Sequence, residues 1–517
     1  MKKGKMILVA AMVVFLCGCK QNMHTVATVT PTVIAEPTEL QQEPILTPTS
    51  IISSIPEPEL SNASAPTPNV TPALTLSPTP HPNEEATLTE SPLQALDPLE
   101  AEFWCRLYEE DTDVLMSLQE ISSLNEQNFQ RKETSLVKLS EMEKVKALTV
   151  VQMIESYSFP NKKYYGNEVI SEKTKAELLK LRNLSVLQDT EYVEVSFGIL
   201  TQNADLRSFP AERPLTSEKN GRYDYLQETM LLINEPIVIL HVSTDGEWCF
   251  VQGENYFGWI RESAIAYCEK ETMIKHCEKL LDTGNSELLL VTKNIAYEPE
   301  EGIIYLLRMG TKLFGEKGEN GKWLIDVPVR NKTDVLQWKQ YEVSSEAAVY
   351  DCFHQGYLPY TRANMITLAT ELLDTPYAWG DALAYSEFYL YDSEIGMDCS
   401  STVAAVYRCF GFVMPRNTGM QRASVWKGET VSSYNATQKK EVLDALEAGA
   451  LLYSPGHVML YLGNYEDEYY ILHNTTTEFL SDGTQKSFHR CVISPMSLGK
   501  KGETILEQLL DIKVLTR

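Results

Sequence analysis

The spacing of apolar residues changes character along the chain and divides it into segments. From Asp97 to about Gln188, Leu115, Leu118, Ile121 and Leu124, and then Leu136, Leu139, Met142 and Val145, recur every three positions. That spacing puts each set on one stripe of an α-helix, and it predicts a small helical cap or spacer over residues 97–188. From 189 to 268 the pattern shortens to alternating runs broken by turns, among them Pro236-Ile237-Val238-Ile239-Leu240, Thr244-Asp245-Gly246-Glu247-Trp248 and Tyr256-Phe257-Gly258-Trp259-Ile260. Alternation punctuated by Asp-Gly predicts a small β-barrel. A weaker copy over 285–348 carries Met309-Gly310-Thr311-Lys312 and Asn320-Gly321-Lys322-Trp323-Leu324 in the corresponding places, so the two read as a tandem repeat. Residues 356–517 mix an amphipathic run from Ala363 to Leu373, a second helical run after Cys399 and strand-like runs near the end, which predicts an α+β domain.

Upstream of residue 97 no such period exists. Lys2, Lys3 and Lys5 precede an apolar run from Met6 to Leu16 that is too short to span a bilayer and has the layout of a secretory signal. It ends in Leu16-Cys17-Gly18-Cys19, which resembles the lipobox of bacterial lipoproteins. The resemblance implies cleavage before Cys19, lipid on its sulfur, and an extracytoplasmic chain tethered to the membrane. An ordinary signal peptide with an incidental cysteine is the alternative. Residues 20–96 are rich in Pro, Thr, Ser and Glu, and 14 of the 25 prolines fall between Pro31 and Pro98. Such a composition cannot bury a core and predicts a disordered linker with a reach on the order of 100 to 200 Å.

Composition narrows the partners. The 45 Lys and Arg against 71 Asp and Glu leave a net charge of −26, which argues against phosphate-rich nucleic acid and against anionic lipid. Ten cysteines are scattered without a C-x-x-C pair, so neither a zinc site nor a disulfide scaffold is indicated. No cofactor is expected, and the chain is expected to be a monomer.

The chemistry-bearing residues lie in three separated stretches of the last domain. Pro376-Tyr377-Ala378-Trp379-Gly380 reads as a turn. Met397-Asp398-Cys399-Ser400-Ser401 precedes Val403, Val406, Tyr407 and Phe410 at helical spacing, so Cys399 opens a buried helix. A thiol at a helix N-terminus is expected to have a lowered pKa; Cys409, inside the same helix, reads as an inert buried thiol. His457-Val458-Met459-Leu460-Tyr461-Leu462-Gly463 and Glu468-Tyr469-Tyr470-Ile471-Leu472-His473 read as a hairpin. With its tip centred at Tyr465, residues whose numbers sum to 930 face one another, so Met459 meets Ile471 and His457 meets His473. One imidazole would then hold the other against a nucleophile. A one-residue slip would place them on opposite faces.

The order Pro-Tyr-x-Trp-Gly, Asp-Cys-Ser, Pro415-Arg416-Asn417 with Gln421, Gly456-His457-Val458 and Leu472-His473 resembles the NlpC/P60 papain-like peptidases of bacterial cell walls. The barrels resemble bacterial SH3-like domains, and the whole arrangement resembles the subgroup acting on γ-D-glutamyl to diamino-acid bonds. Ser401 stands where the family usually has glycine, and Glu447-Ala448-Gly449-Ala450 replaces the usual Pro-Gly-Asp-Leu turn. The resemblance implies a Cys399 nucleophile, a His457 base and a His473 orienter. It further implies an oxyanion donor at Tyr377, a peptidoglycan stem peptide with a free N-terminal L-Ala as substrate, and a role for Asp398 and Ser400 in binding its amine. A tyrosine of the first barrel, with Tyr223, Tyr225 and Tyr256 as candidates, would close the pocket. The competing readings are a catalytically inactive wall-binding protein, and an N-acetylmuramoyl-L-alanine amidase or acyltransferase on the same scaffold.

Overall fold

The computed structural model describes residues 93–381 and 396–516, apart from Asn220, Ala348, Ser481, Gly483, Lys501 and Gly502. The expected signal segment, its Cys19 and the linker up to residue 92 lie outside the described residues.

Four helices occupy the first described segment: α1 (Ala101–Tyr108), α2 (Leu118–Phe129), α3 (Ala147–Ser156) and α4 (Glu172–Leu181). Ser117 and Glu120 form a reciprocal capping box at the start of α2. The stripe from Leu136 to Val145 is not helical, contrary to its spacing. It forms a short 3-10 turn (Leu139–Glu141) and then a strand (Lys144–Lys146) paired with Tyr192–Glu194. Val137 N–H meanwhile donates to the Glu254 carbonyl at 2.8 Å, so tertiary partners take the backbone groups that a helix would need. The helices also have no common core. Phe103 and Trp104 of α1 and Ile121 of α2 share one with the C-terminal domain, whereas Val150, Met153 and Ile154 of α3 pack with Trp248, Phe250 and Trp259 of the first barrel. The segment is thus a clamp divided between two neighbours.

The first barrel comprises β1 (Ser196–Leu200), β2 (Ala204–Arg207), β3 (Gln227–Leu231), β4 (Pro236–Val242), β5 (Trp248–Gln252), β6 (Phe257–Arg261) and β7 (Ile265–Cys268), ordered β7-β1-β4-β5-β6-β2-β3. Asp245-Gly246 makes the β4–β5 turn, with Gly246 at φ 76°, a conformation without cost for glycine. After α5 (Lys270–Leu281) the second sheet follows, with β8 (Leu288–Val291), β9 (Lys312–Lys317), β10 (Trp323–Arg330), β11 (Leu336–Val343) and β12 (Phe353–Gln355) in the order β11-β10-β9-β8-β12. Its last strand carries this domain past residue 348.

The C-terminal domain opens with α6 (Arg362–Thr370), the buried helix α7 (Cys399–Arg408) and the short α8 (Thr418–Arg422). A sheet follows, with β13 (Lys427–Thr430), β14 (Leu451–Ser454), β15 (His457–Tyr465), β16 (Glu468–Phe479), β17 (Gln485–Pro495) and β18 (Asp511–Val514) in the order β13-β18-β14-β15-β16-β17. α7 packs across this sheet, and Val403, Val406 and Tyr407 share a core with Val458, Leu460 and Leu472.

Candidate active site

Cys399 is the first residue of α7. Asp398 caps the helix, accepting from Ser401 N–H at 3.0 Å, and the Ser401 hydroxyl reaches back to the Asp398 amide at 3.0 Å. Ser401 therefore completes a capping box and also donates to Asp381; its hydroxyl points into the support of the site, so the serine in the glycine position does not crowd the cleft. Cys399 is 8% exposed. Thr418 Oγ1 lies 3.9 Å from its sulfur, and the Val458 amide also faces it. Burial, with the Asp398 carboxylate adding to it, pushes the thiol up to about 11. The expected lowering does not occur: a helix N-terminus favours the thiolate, but desolvation and a neighbouring anion outweigh it here.

The two imidazoles meet, with His457 Nε2 2.9 Å from His473 Nδ1 and ring centroids 5.1 Å apart. They arrive by a register other than the expected one. Near the tip the pairs are Tyr465 with Glu468, Asn464 with Tyr469 and Gly463 with Tyr470, across a two-residue turn of Glu466 (φ 53°) and Asp467 (φ 64°). Closer to the histidines Tyr461 faces Ile471 and Leu460 faces Leu472, because Leu462 is an extra bulged residue. Continued one step, this register sets His473 opposite Met459, two residues from His457 and on the same face. The primed geometry of the turn moved the tip by an odd number of residues, and the bulge restored the parity. Burial, aided by the neighbouring imidazole, lowers His457 to about 3, against an opposing pull from Asp398. The resting pair is thus a neutral thiol and a neutral imidazole.

Behind Cys399 lies a buried charge cluster that the sequence reading did not assemble. Arg416 Nη2 is 2.8 Å from Asp398 Oδ2 and 3.1 Å from Asp381 Oδ2, and Nη1 donates to Ser400 Oγ at 2.9 Å. Arg308, four residues before β9 of the second sheet, lies 3.3 Å from Asp381, and Thr229 of the first barrel bonds Arg416 Nε. Asp398 is held below the usual carboxylate range by Arg416, against its burial. Asp398 and Ser400 are accordingly committed to Arg416 and to the helix cap. They are not the open amine acceptors that the motif led us to expect. Arg416 was visible in its motif, but Asp381, one residue past Pro-Tyr-x-Trp-Gly, carried no local signal.

Tyr377 is brought to the site. Its amide donates to the His489 carbonyl at 2.9 Å, and burial, with Cys399 and Asp398 next in weight, raises its phenol well above the usual range. The ring of Tyr223 from the first barrel stands against it edge-on at 6.3 Å. Tyr225 instead lies under the Lys162 ammonium, 3.9 Å from its ring centroid. Tyr256 donates to Glu228 at 2.9 Å and neighbours Arg416 and Asn417, one residue from Thr418. Glu228, another residue not foreseen, is raised by burial to about 7. The glycine of the first motif has a reason: Gly380 sits at φ 61°, and a Cβ there would lie 2.8 Å from Gln227 Cγ, while Gln227 Nε2 donates to its carbonyl at 3.1 Å.

A cysteine opening a helix, packed on an antiparallel sheet that holds two bonded imidazoles, defines an α+β domain of papain-like type. Residues 212–261 match the SH3 domain (SH3b1 type) and residues 374–490 match the NlpC/P60 family, and the C-terminal domain belongs to that family. Over 102 residues the chain is 30% identical to a protein named dipeptidyl-peptidase 6 from Lysinibacillus sphaericus, covering 20% of this chain and 30% of that relative. The match thus spans less than a third of the relative's length. Among solved structures, an NlpC/P60 endopeptidase from Photobacterium damselae subsp. piscicida shares the fold, with a TM-score of 0.60 and 16% identity over 81% of this chain and 98% of that one.

Proposed function

We propose that the chain is a cysteine endopeptidase that hydrolyses the γ-D-glutamyl to diamino-acid bond of peptidoglycan stem peptides bearing a free N-terminal L-Ala. The observation that carries this is the bond between His457 Nε2 and His473 Nδ1 on a strand whose next residue, Val458, turns its amide to the sulfur of a cysteine that begins a helix. It leaves His457 Nδ1 as the working nitrogen. As Cys399 Sγ attacks the γ-carbonyl carbon, its proton passes to His457 Nδ1; the C–N bond then breaks and that proton leaves with the amine. Water attacks the thioester, gives a proton to His457, and the thiol re-forms as the carboxylate departs. The Cys399 amide, in the first turn where helix amides have no intrahelical partner, and the Tyr377 hydroxyl would donate to the oxyanion, each worth roughly 3 to 4 kcal/mol.

A short substrate suits a cleft walled by Tyr223. Since Asp398 is already paired, the group best disposed to take the substrate ammonium is Glu228 with Tyr256, which lead through Asn417 and Thr418 to the sulfur. An arriving cation would hold Glu228 ionised. A relative named as a dipeptidyl-peptidase is compatible with release of L-Ala-γ-D-Glu. The proposal includes a lipid anchor on Cys19, a location facing the wall and action as a monomer.

The test is incubation with L-Ala-γ-D-Glu-diamino-acid tripeptide beside Cys399→Ala, with products identified by mass spectrometry. Release of dipeptide by the parent protein alone is expected. Cleavage between muramic acid and L-Ala, or transfer to an added amine, would select the amidase or acyltransferase instead, and stem-peptide binding with no product would leave an inactive wall-binding protein. Fatty-acid labelling that survives Cys19→Ala would remove the anchor.

A further inference from the structure

The histidine pair has a third partner. His473 is 2% exposed and Glu478 is 6% exposed, and His473 Nε2 lies 3.1 Å from Glu478 Oε1. Ser494 Oγ is 3.2 Å from the same nitrogen. The second carboxylate oxygen, Oε2, is buried with no hydrogen-bond partner. A buried carboxylate turned toward a ring nitrogen and satisfied nowhere else on that side is costly unless it is organised for that contact.

The contact also spans a break in the β16–β17 ladder. His473 and Glu478 are five residues apart on β16, an odd separation that puts side chains on opposite faces of a regular strand. Here Thr475 pairs with Arg490 and Thr477 with Ser487, so Thr476 faces the two residues Phe488 and His489, the latter at φ 54°. This irregularity lies between the two residues, and the side chains of His473 and Glu478 meet across it.

We propose that Glu478 is a positioning residue that selects the tautomer of both imidazoles. An ionised carboxylate only accepts, so it requires the His473 proton on Nε2, where the Ser494 hydroxyl oxygen can share it. His473 Nδ1 then carries the lone pair and accepts from His457 Nε2–H across the 2.9 Å bond. His457 Nδ1 is left unprotonated, and it is the nitrogen that the function proposed above uses. The opposite tautomer would set the carboxylate against a lone pair and protonate His457 on the nitrogen that must receive the Cys399 proton. When His457 does receive it, the charge is carried by a chain of His457, His473 and Glu478 that ends on an anion. The importance of this for turnover rests on the function proposed above; the tautomer assignment does not.

The test uses the full chain labelled with ¹⁵N at histidine, with ring-nitrogen shifts read by long-range ¹H–¹⁵N correlation at neutral pH. His473 and His457 should both be protonated at Nε2 and bare at Nδ1. A proton on His473 Nδ1, alone or in a doubly protonated ring, overturns the proposal and needs no variant to be seen. In the turnover arm, Glu478→Gln and Glu478→Leu should each lower kcat by roughly 10²-fold, the scale of lost support behind a working group, with KM within about twofold. A variant that keeps both the parent kcat and the parent tautomers sinks the proposal. A parent protein with the stated tautomers but no hydrolysis of any stem peptide overturns the function and leaves this inference standing.

Discussion

The Tyr108 hydroxyl donates to the Leu462 carbonyl at 2.9 Å. Leu462 is the bulged residue of β15, and the contact crosses 354 positions of sequence. Next to it, Gly463 lies at φ 142° where a Cβ would meet Tyr108 Oη at 3.0 Å and Trp104 at 3.2 Å. Helix α1 thus seats against the one point of the hairpin that decides whether His457 and His473 share a face. Without the bulge, the pairing near the tip would set His473 opposite Leu460 and direct it away from His457.

Tyr108→Phe removes that donor and leaves the ring in place. The expected loss of stability is about 1 kcal/mol, the worth of one hydrogen bond, read as a lower urea midpoint at constant slope. The accompanying loss of kcat should exceed the loss of folded protein at the assay temperature. An unchanged kcat would show that the bulge holds without the Tyr108 hydrogen bond.

The thiol should behave as a buried neutral group when no substrate is bound. Since Cys399 is pushed up to about 11, its alkylation by iodoacetamide should rise about tenfold per pH unit between pH 7 and pH 9 with no plateau, because the thiolate is the reacting species. A plateau near neutrality would indicate a preformed thiolate–imidazolium pair and contradict the lowering of His457 to about 3.

What was legible in the sequence was what is local. The cap and nucleophile in Asp398-Cys399-Ser400, the hairpin after Gly456 and the glycine turns of the first barrel are set by neighbours within a few positions, and they form where their residues predict. The register of the hairpin was not legible, because Tyr108 and the Glu466-Asp467 turn fix it together. The Leu136 to Val145 stripe has helical spacing, yet its backbone is taken by Tyr192–Glu194 and by Glu254. Asp398 reads as an open carboxylate only until Arg416 is folded against it, with Asp381 and Arg308 arriving from distant segments.

Glu228 should trade stability for function. The groups that face it are Tyr256, Arg416, Ser208 and Asp224, and burial dominates, raising it to about 7. A carboxyl raised above its unfolded value binds more protons in the folded state. Its stabilising share is therefore complete below about pH 4 and is lost as pH rises through 7. Glu228→Gln should match the parent at pH 4 and exceed it at pH 8 by up to about 3 kcal/mol, measured by urea unfolding. On the proposed function, the same variant should raise KM for the tripeptide with a free amine and leave an N-acetylated tripeptide unaffected. Equal stability at both pH values would show that the carboxyl is not penalised by the fold.

Arg416 is the group on which the two acidic residues behind the nucleophile depend. Its guanidinium touches Asp398 and Asp381, and burial of all three is nearly complete. Arg416→Met keeps the volume but leaves Asp398 uncompensated beside Cys399 and deprives Asp381 of one of its two arginines, so the expected loss at pH 7 is about 3 to 5 kcal/mol. The sign of its pH dependence follows from Asp398, whose pKa the arginine depresses. In the parent that contribution is present above the unfolded value near pH 3.8 and is lost as pH falls below it. In the variant the buried Asp398 gains by taking up a proton, so the gap between the two proteins should narrow steadily on acidification. Urea unfolding at pH 7 and pH 3 measures both gaps, and a gap that stays constant would mean that the guanidinium stabilises by packing and not by charge.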